Sequence, residues 1–187
     1  GVSFWGYDLG GFYHTGYTGN EERPDTEDYL SSVQMGLWMP LSRAHGKTPR
    51  EPWQYGDLAL KNVKEWINFR HRLAPYLYHT ACQSHLFGIQ NLSYMLGDSL
   101  LVSPAFDREE YDLYLPEGQW RNIESKEVYK GGSFVHVETK SFANGGTSLL
   151  VFQKEGTSIP LLAQKEVMHV PATAWKREDL DFMTFTT

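Results

Sequence analysis

The spacing of the first apolar segments restricts this chain more than any other feature. Residues 2–7 form a compact apolar run, and residues 26–37 place Leu30, Val33 and Leu37 at helical spacing. Residues 39–42 are apolar again. A strand, a helix and a strand of these lengths make one βαβ unit, and such a crossover joins parallel strands. Asp25 or Thr26 can cap the helix, with Glu27 and Asp28 suited to its positive end. The polar stretch 13–25, with Gly16, Gly19 and Pro24, reads as a long loop between the first strand and the helix.

A loop with Pro49 and Pro52 follows. Asp57 is then predicted to cap a long helix with Leu60, Val63, Ile67 and Arg70 on one face. Pro75 interrupts it, because proline lacks a backbone donor and clashes with the preceding turn. Helix resumes through Leu77 and Ala81 and stops at Gly88. Past Asn91 the pattern changes. Short strands are predicted at 99–103, 112–115, 134–137, 149–152, 159–162 and 180–185, parted by turns such as Pro116-Glu117-Gly118 and Asn144-Gly145-Gly146. Strands at this spacing without intervening helices indicate an antiparallel sandwich. The chain is therefore α/β and then all-β, with the change near residue 90: 1–90 in one part, 91–187 in the other.

Composition mainly excludes. A net charge of -6 argues against a nucleic-acid footprint, which needs a clustered basic face. No apolar run approaches the roughly 20 residues that cross a bilayer. The single cysteine, Cys82, rules out an internal disulfide and reads as a small packed side chain in a helix. His71, His79 and His85 lack the carboxylate or cysteine spacing of a metal site and read as structural. Six Trp and eleven Tyr suit the faces of sugars, but they equally fill the core of a sandwich.

Two strand exits carry polar groups. Asp8 ends the first run and is followed by Gly10 and Gly11, while Ser42-Arg43-Ala44-His45-Gly46 ends the second. An unpaired buried charge costs several kcal/mol, and strand exits are where barrels of alternating strands and helices build their sites. The chain therefore reads as part of an enzyme whose first residue lies inside a domain.

Gly6-Tyr7-Asp8-Leu9-Gly10-Gly11-Phe12 and Ser42-Arg43-Ala44-His45-Gly46 resemble glycoside hydrolase family 31, the α-glucosidases, α-xylosidases and their relatives. Further pieces follow in the family's order: Arg50-Glu51-Pro52-Trp53, Arg72-Leu73-Ala74-Pro75-Tyr76-Leu77-Tyr78, Met95-Leu96-Gly97-Asp98-Ser99 and Tyr114-Leu115-Pro116-Glu117-Gly118-Gln119-Trp120. The likeness covers roughly residues 1–162. It implies that the chain holds the last two βα units of a (β/α)8 TIM barrel followed by the proximal β-sandwich. It also implies that the catalytic nucleophile and acid/base lie on earlier strands, so this chain carries no catalytic residue of its own. The family's retaining mechanism pairs two carboxyl groups about 5–5.5 Å apart and needs no cofactor. Glu21, Glu22, Glu109, Glu110, Asp107 and Asp112 form no such pair here and read as solvated.

The resemblance assigns Asp8, Phe12, Arg43 and His45 to substrate binding. Asp8 accepts from sugar hydroxyls, or alternatively only fixes an arginine or a turn. His45 contacts the same sugar, and its Arg-x-His spacing on a strand would put both side chains on one face. Arg43 either touches substrate or holds a carboxylate ionised. Phe12 walls the subsite or merely packs. Trp5 and Trp38 read as packing residues.

The implied partners are an oligosaccharide or small α-glycoside and the remainder of the same enzyme, with no nucleic acid and no membrane. Three departures stand out. Ser31-Ser32 replaces the family's usual Arg-Trp, only Ile89-Gln90 separate Gly88 from Asn91, and the tail from Ala163 matches no family segment. The leading reading is part of a retaining α-glycosidase. An α-glucosyltransferase on the same fold is the close alternative, and a non-catalytic carbohydrate-binding or structural module is the distant one.

Overall fold

The computed structural model describes residues 4–12, 23–47, 49–87, 95–105, 108–139, 149–163 and 175–186. Several sequence expectations lie outside them: the start of the first strand, most of the 13–25 loop, Asp107, the short 88–91 connection, the 144–146 turn and the start of the tail.

Strand β1 (Gly6–Asp8), helix α1 (Thr26–Leu37) and strand β2 (Leu41–Arg43) form the expected unit, and the two strands run parallel. Asp25 is the cap, its Oδ1 accepting from the Asp28 backbone N–H at 2.8 Å. β2 starts two residues later than predicted. Trp38 and Met39 donate their backbone N–H groups to Met35 and Gly36, so they finish the helical turn instead of starting the strand. Gly36 is where helix and strand touch: a Cβ there would lie 2.5 Å from Leu9 Cδ2 and 2.9 Å from the Tyr7 ring.

A 3-10 turn (Pro52–Tyr55) precedes α2 (Asp57–Arg72), and α3 (Ala74–Phe87) follows a break at Leu73. Asp57 is not the cap. Gly56, at φ 90° and ψ 176°, holds that position without a side-chain bond. The buried face of α2 also differs by one residue from the predicted one. Ala59 and Val63 are buried, with Trp66 and Ile67 packed beside them, while Leu60 is exposed. Ala59 is small enough for α1 and α2 to close over it, with Tyr29, Leu30, Val33 and Leu37 opposite. Arg70 then ties the two helices: Nη1 donates to Leu37 O at 2.7 Å and Nη2 to Pro40 O at 2.9 Å. Burial pulls its pKa down to about 10, which leaves it charged at neutral pH.

The C-terminal half is antiparallel. Strands β3 (Met95–Leu96), β4 (Leu100–Pro104), β9 (Leu149–Lys154), β6 (Gln119–Asn122) and β7 (Val128–Lys130) form one sheet in that spatial order. β5 (Glu110–Leu115) pairs with β8 (Ser133–Glu138), and β10 (Thr157–Leu162) pairs with β11 (Leu180–Phe185). The tail strand that no family segment reached is thus joined to β10 along its whole length, Thr157 opposite Phe185 and Leu162 opposite Leu180. Arg72 of α2 anchors this pair, donating from Nε to Leu162 O at 2.8 Å and from Nη2 to Asp181 Oδ2 at 3.0 Å. No helix among the described residues is long and apolar enough to cross a membrane.

Two of the family-like segments meet at Tyr76. Its buried hydroxyl donates to Leu96 O at 2.6 Å and accepts from Ser99 N at 3.3 Å. Gly97, at φ 68°, lies so close that a Cβ would strike that hydroxyl and Thr80 Cγ2. Tyr76→Phe removes the hydroxyl that both backbone groups use in this buried place. The expected loss is about 1–3 kcal/mol, read as a lowered urea midpoint at unchanged m-value. An unchanged midpoint would show that this bond contributes nothing to stability.

Candidate sugar-binding site

The parallel register sets Asp8 opposite Arg43 at the carboxyl ends of β1 and β2. Arg43 Nε donates to Asp8 Oδ1 at 2.6 Å, and His45 Nδ1 stands 3.6 Å from Oδ2. Asp8 shows only 18% of its side chain to solvent against 67% for Arg43, so the carboxylate is the inner member of the pair. The Arg43 hydrogen bond holds the Asp8 carboxyl below its ordinary value against the opposing effect of burial, and His45 adds to the lowering. Asp8 is therefore a fixed anion. One oxygen is engaged by Arg43, and the other faces His45 with lone pairs to offer a hydroxyl.

His45 lies past the end of β2, so strand alternation does not place it. It stands in the loop that follows Arg43, with its imidazole beside Asp8, and the chain turns away only afterwards, at Gly46, φ 141°. Phe12 is exposed, with its ring centroid 5.4 Å from that of His45. All four residues singled out in the sequence thus come together in one patch. Its glycines serve the backbone: Gly10, at φ 80°, lets the chain turn beside the Tyr29 ring, where a Cβ would sit 3.0 Å away.

Sequence reasoning missed the support beneath this patch. Arg50 donates from Nη1 to Gly11 O at 2.5 Å and to His45 O at 2.6 Å, and from Nη2 to Phe12 O at 3.3 Å. Its own carbonyl accepts from the Tyr29 hydroxyl at 2.7 Å. Tyr29 stacks on Tyr55 at 3.7 Å and 3°, and the Tyr55 hydroxyl donates to Pro49 O. Burial raises the pKa of both phenols, keeping them protonated as donors. The signal available was the Arg50-Glu51-Pro52-Trp53 segment, which carried the resemblance without a role attached to it.

The remaining expectations divide. Ser32, standing where the family has a larger side chain, shares a 2.9 Å hydrogen bond with the Tyr7 hydroxyl. Trp38 packs against Phe69, with centroids 5.5 Å apart, but Trp5 is exposed together with Tyr7 and Leu41 along the parallel pair. Glu110 and Asp112 are exposed on β5, flanking His136 at 3.6 and 3.2 Å. Among the described residues no group of three His, Cys, Asp or Glu is arranged to hold a metal ion. A cavity of 510 Å³ lies elsewhere, between α1, α2 and β9, and none of Asp8, Phe12, Arg43 or His45 lines it.

Comparison with known proteins bears on this arrangement. Residues 1–80 match the glycosyl hydrolases family 31 TIM-barrel domain, and residues 70–165 match the glycosyl hydrolase family 31 C-terminal domain. The chain is 29% identical to a 1,6-alpha-glucosyltransferase of Sporosarcina globispora over 98% of its own length and 16% of that protein's. It is 30% identical to neutral alpha-glucosidase AB of Sus scrofa, over 86% of this chain and 18% of that protein. The solved cycloalternan-forming enzyme of Listeria monocytogenes, in complex with a pentasaccharide substrate, superposes with a TM-score of 0.78 at 25% identity. That match covers 100% of this chain and 20% of the other. The chain thus spans a fifth or less of the length of each of these three proteins.

Proposed function

The chain belongs to glycosyl hydrolase family 31, and from that membership we propose that it supplies the sugar-gripping wall of a retaining α-glycosidase acting on terminal α-linked glucosyl or xylosyl residues. The observation that carries this reading is the convergence of Asp8, Arg43, His45 and Phe12 at the ends of two parallel strands. A fixed carboxylate, an imidazole and an aromatic ring within reach of one another can hold a pyranose by its hydroxyls and one of its faces. Each hydrogen bond to the charged group contributes about 1.5–3 kcal/mol.

In this reading the nucleophile and the acid/base come from other segments of the whole enzyme, and β1 and β2 belong to the last two βα units of its barrel. Support comes from the parallel pair itself. Parallel sheets are covered on both faces, yet β1 and β2 leave Trp5, Tyr7 and Leu41 exposed, so further strands and helices fit around them. We place the change from barrel to sandwich near residue 90, at the end of α3.

The mechanism is double displacement. One carboxylate attacks the anomeric carbon while the other carboxyl protonates the leaving oxygen, and water then releases the sugar with its configuration retained. Asp8 and His45 would hold the ring in place through both steps. The test is the first product formed by the full-length enzyme from an aryl α-glucoside, followed by proton NMR. The α-anomer is expected to appear first, and an initial β-anomer would overturn the retaining assignment.

A second reading, transfer of a glucosyl unit to another sugar, has a specific observation in its favour. The likeness to the 1,6-alpha-glucosyltransferase and to the cycloalternan-forming enzyme runs over nearly the whole chain, tail strand included, whereas that to neutral alpha-glucosidase AB covers 86%. Incubation with concentrated maltose separates the two, since transfer yields longer oligosaccharides together with one released glucose per unit transferred, whereas hydrolysis yields glucose alone.

A further inference from the structure

Resting on the sugar-binding reading above, we propose that Arg50 is the positioning residue that holds the Phe12 loop and the His45 loop of the site at their working separation. The β-ladder alone cannot do this. Its last tie is the Leu9 N–H to Arg43 O bond at 2.8 Å, and beyond it the chain enters two separate loops. Phe12 stands on one of these loops and His45 on the other. The Arg50 guanidinium lies between them and donates to the carbonyls of Gly11, Phe12 and His45. The Lys47 N–H, donating to Phe12 O at 2.7 Å, adds a further stitch.

A guanidinium suits this task because its donors form a rigid planar fork, whereas an ammonium is a single point on a flexible stem. The fork is itself anchored at its backbone. The Arg50 carbonyl accepts from Tyr29 and its N–H donates to Glu51 Oε2 at 3.2 Å, while Tyr29 stacks on Tyr55 inside the α1–α2 core. A continuous path therefore runs from buried helix packing to the two loops that carry Phe12 and His45. Gly46 leaves the room it needs: a Cβ there would collide with Phe12 O and Arg50 Nη1, on a backbone with φ 141°.

In the full-length enzyme, Arg50→Ala is expected to lower kcat/KM on an aryl α-glucoside by about 10²-fold, the loss typical of a displacement near 1 Å at a reacting centre. Guanidinium chloride at millimolar concentration, far below its denaturing range, is expected to restore much of that loss by filling the vacated space. Arg50→Lys, which keeps charge and stem, is the variant to rely on if the alanine protein does not fold. It is expected to lose about tenfold, since one ammonium cannot satisfy three separated carbonyls. Gly46→Ala should reproduce the loss and should not add to that of Arg50→Ala.

Wild-type kinetics in Arg50→Lys would overturn the proposal, as would a loss in Arg50→Ala that guanidinium leaves untouched. Asp8→Ala, measured alongside, keeps the two levels apart. Full activity in Asp8→Ala removes the sugar-binding reading itself. Loss in Asp8→Ala with full activity in both Arg50 variants removes only the positioning role.

Discussion

Asp8→Ala in the full-length enzyme is expected to lower kcat/KM on a small aryl α-glycoside by about 10- to 10²-fold, the kinetic equivalent of one hydrogen bond to a charged group. The variant removes the carboxylate that a sugar hydroxyl would meet, and it strips Arg43 of its 2.6 Å partner. His45→Ala is expected to fall in the same direction, because the imidazole stands 3.6 Å from the same carboxylate. Full activity in both variants would remove the assignment.

The state of charge sharpens this expectation. The Asp8 carboxyl is held below its ordinary value of 3.8, chiefly by Arg43. Its contribution to stability is thus present above 3.8 and is lost as pH falls through the lower, folded-state value. Asp8 stays ionised throughout the neutral range, so it should not shape the acid limb of a pH–rate profile there. Asp8→Asn, which keeps the shape and drops the charge, is accordingly expected to lose activity at every pH from about 5 to 8, without shifting the profile.

Trp120→Ala is expected to have the largest effect on stability. Trp120 is 1% exposed, and its indole N–H donates to Pro116 O at 2.8 Å inside a core shared with Leu101, Leu115, Val137, Leu150 and Phe152. Truncating a buried Trp costs about 3–5 kcal/mol, and the orphaned Pro116 carbonyl adds to it. That is a large share of the 5–15 kcal/mol by which domains are usually stable. The expected result is a lower melting temperature for the transition of the part that carries this core. The check is differential scanning calorimetry of the full-length enzyme, with Phe134→Ala as the control. Phe134 is 71% exposed, so its loss should change stability by about 0.5 kcal/mol or less. Equal melting points for the two variants would show that the Trp120 cluster is not the core of this sheet.

What the sequence disclosed depended on the distance over which each feature is decided. Asp8, Arg43, His45 and Phe12 were legible because residue type and position at a strand exit are local facts. The βαβ unit and the later strands were legible from periodicity, including Leu180–Phe185, which carries none of the family-like motifs. Arg50 was not legible as a tie between loops, because its acceptors are the backbone carbonyls of Gly11, Phe12 and His45, which any residue type provides. The buried face of α2 was read one residue off because Leu60 outranks Ala59 in hydropathy, while the close approach of α1 favours the smaller side chain. Strands β6 and β7 escaped notice. In β6 the inward residues are Trp120 and Asn122, and an asparagine breaks the apolar alternation. Asn122 earns its buried place by accepting from the N–H groups of Glu124 and Ser125 in the following turn.

The way Leu73 and Tyr76 are buried has a practical outcome for anyone wishing to excise the C-terminal half. Both share a cluster with Leu96, Leu100, Leu149, Val151, Ile159 and Leu161, so they form the floor of the all-β half although they belong to the helical stretch. Scissors placed at residue 90, where helices give way to strands, would remove that floor and expose an oily underside. A recombinant piece meant to stay in solution should begin upstream of Leu73. The place where a polypeptide changes its secondary structure and the place where it tolerates being divided need not coincide.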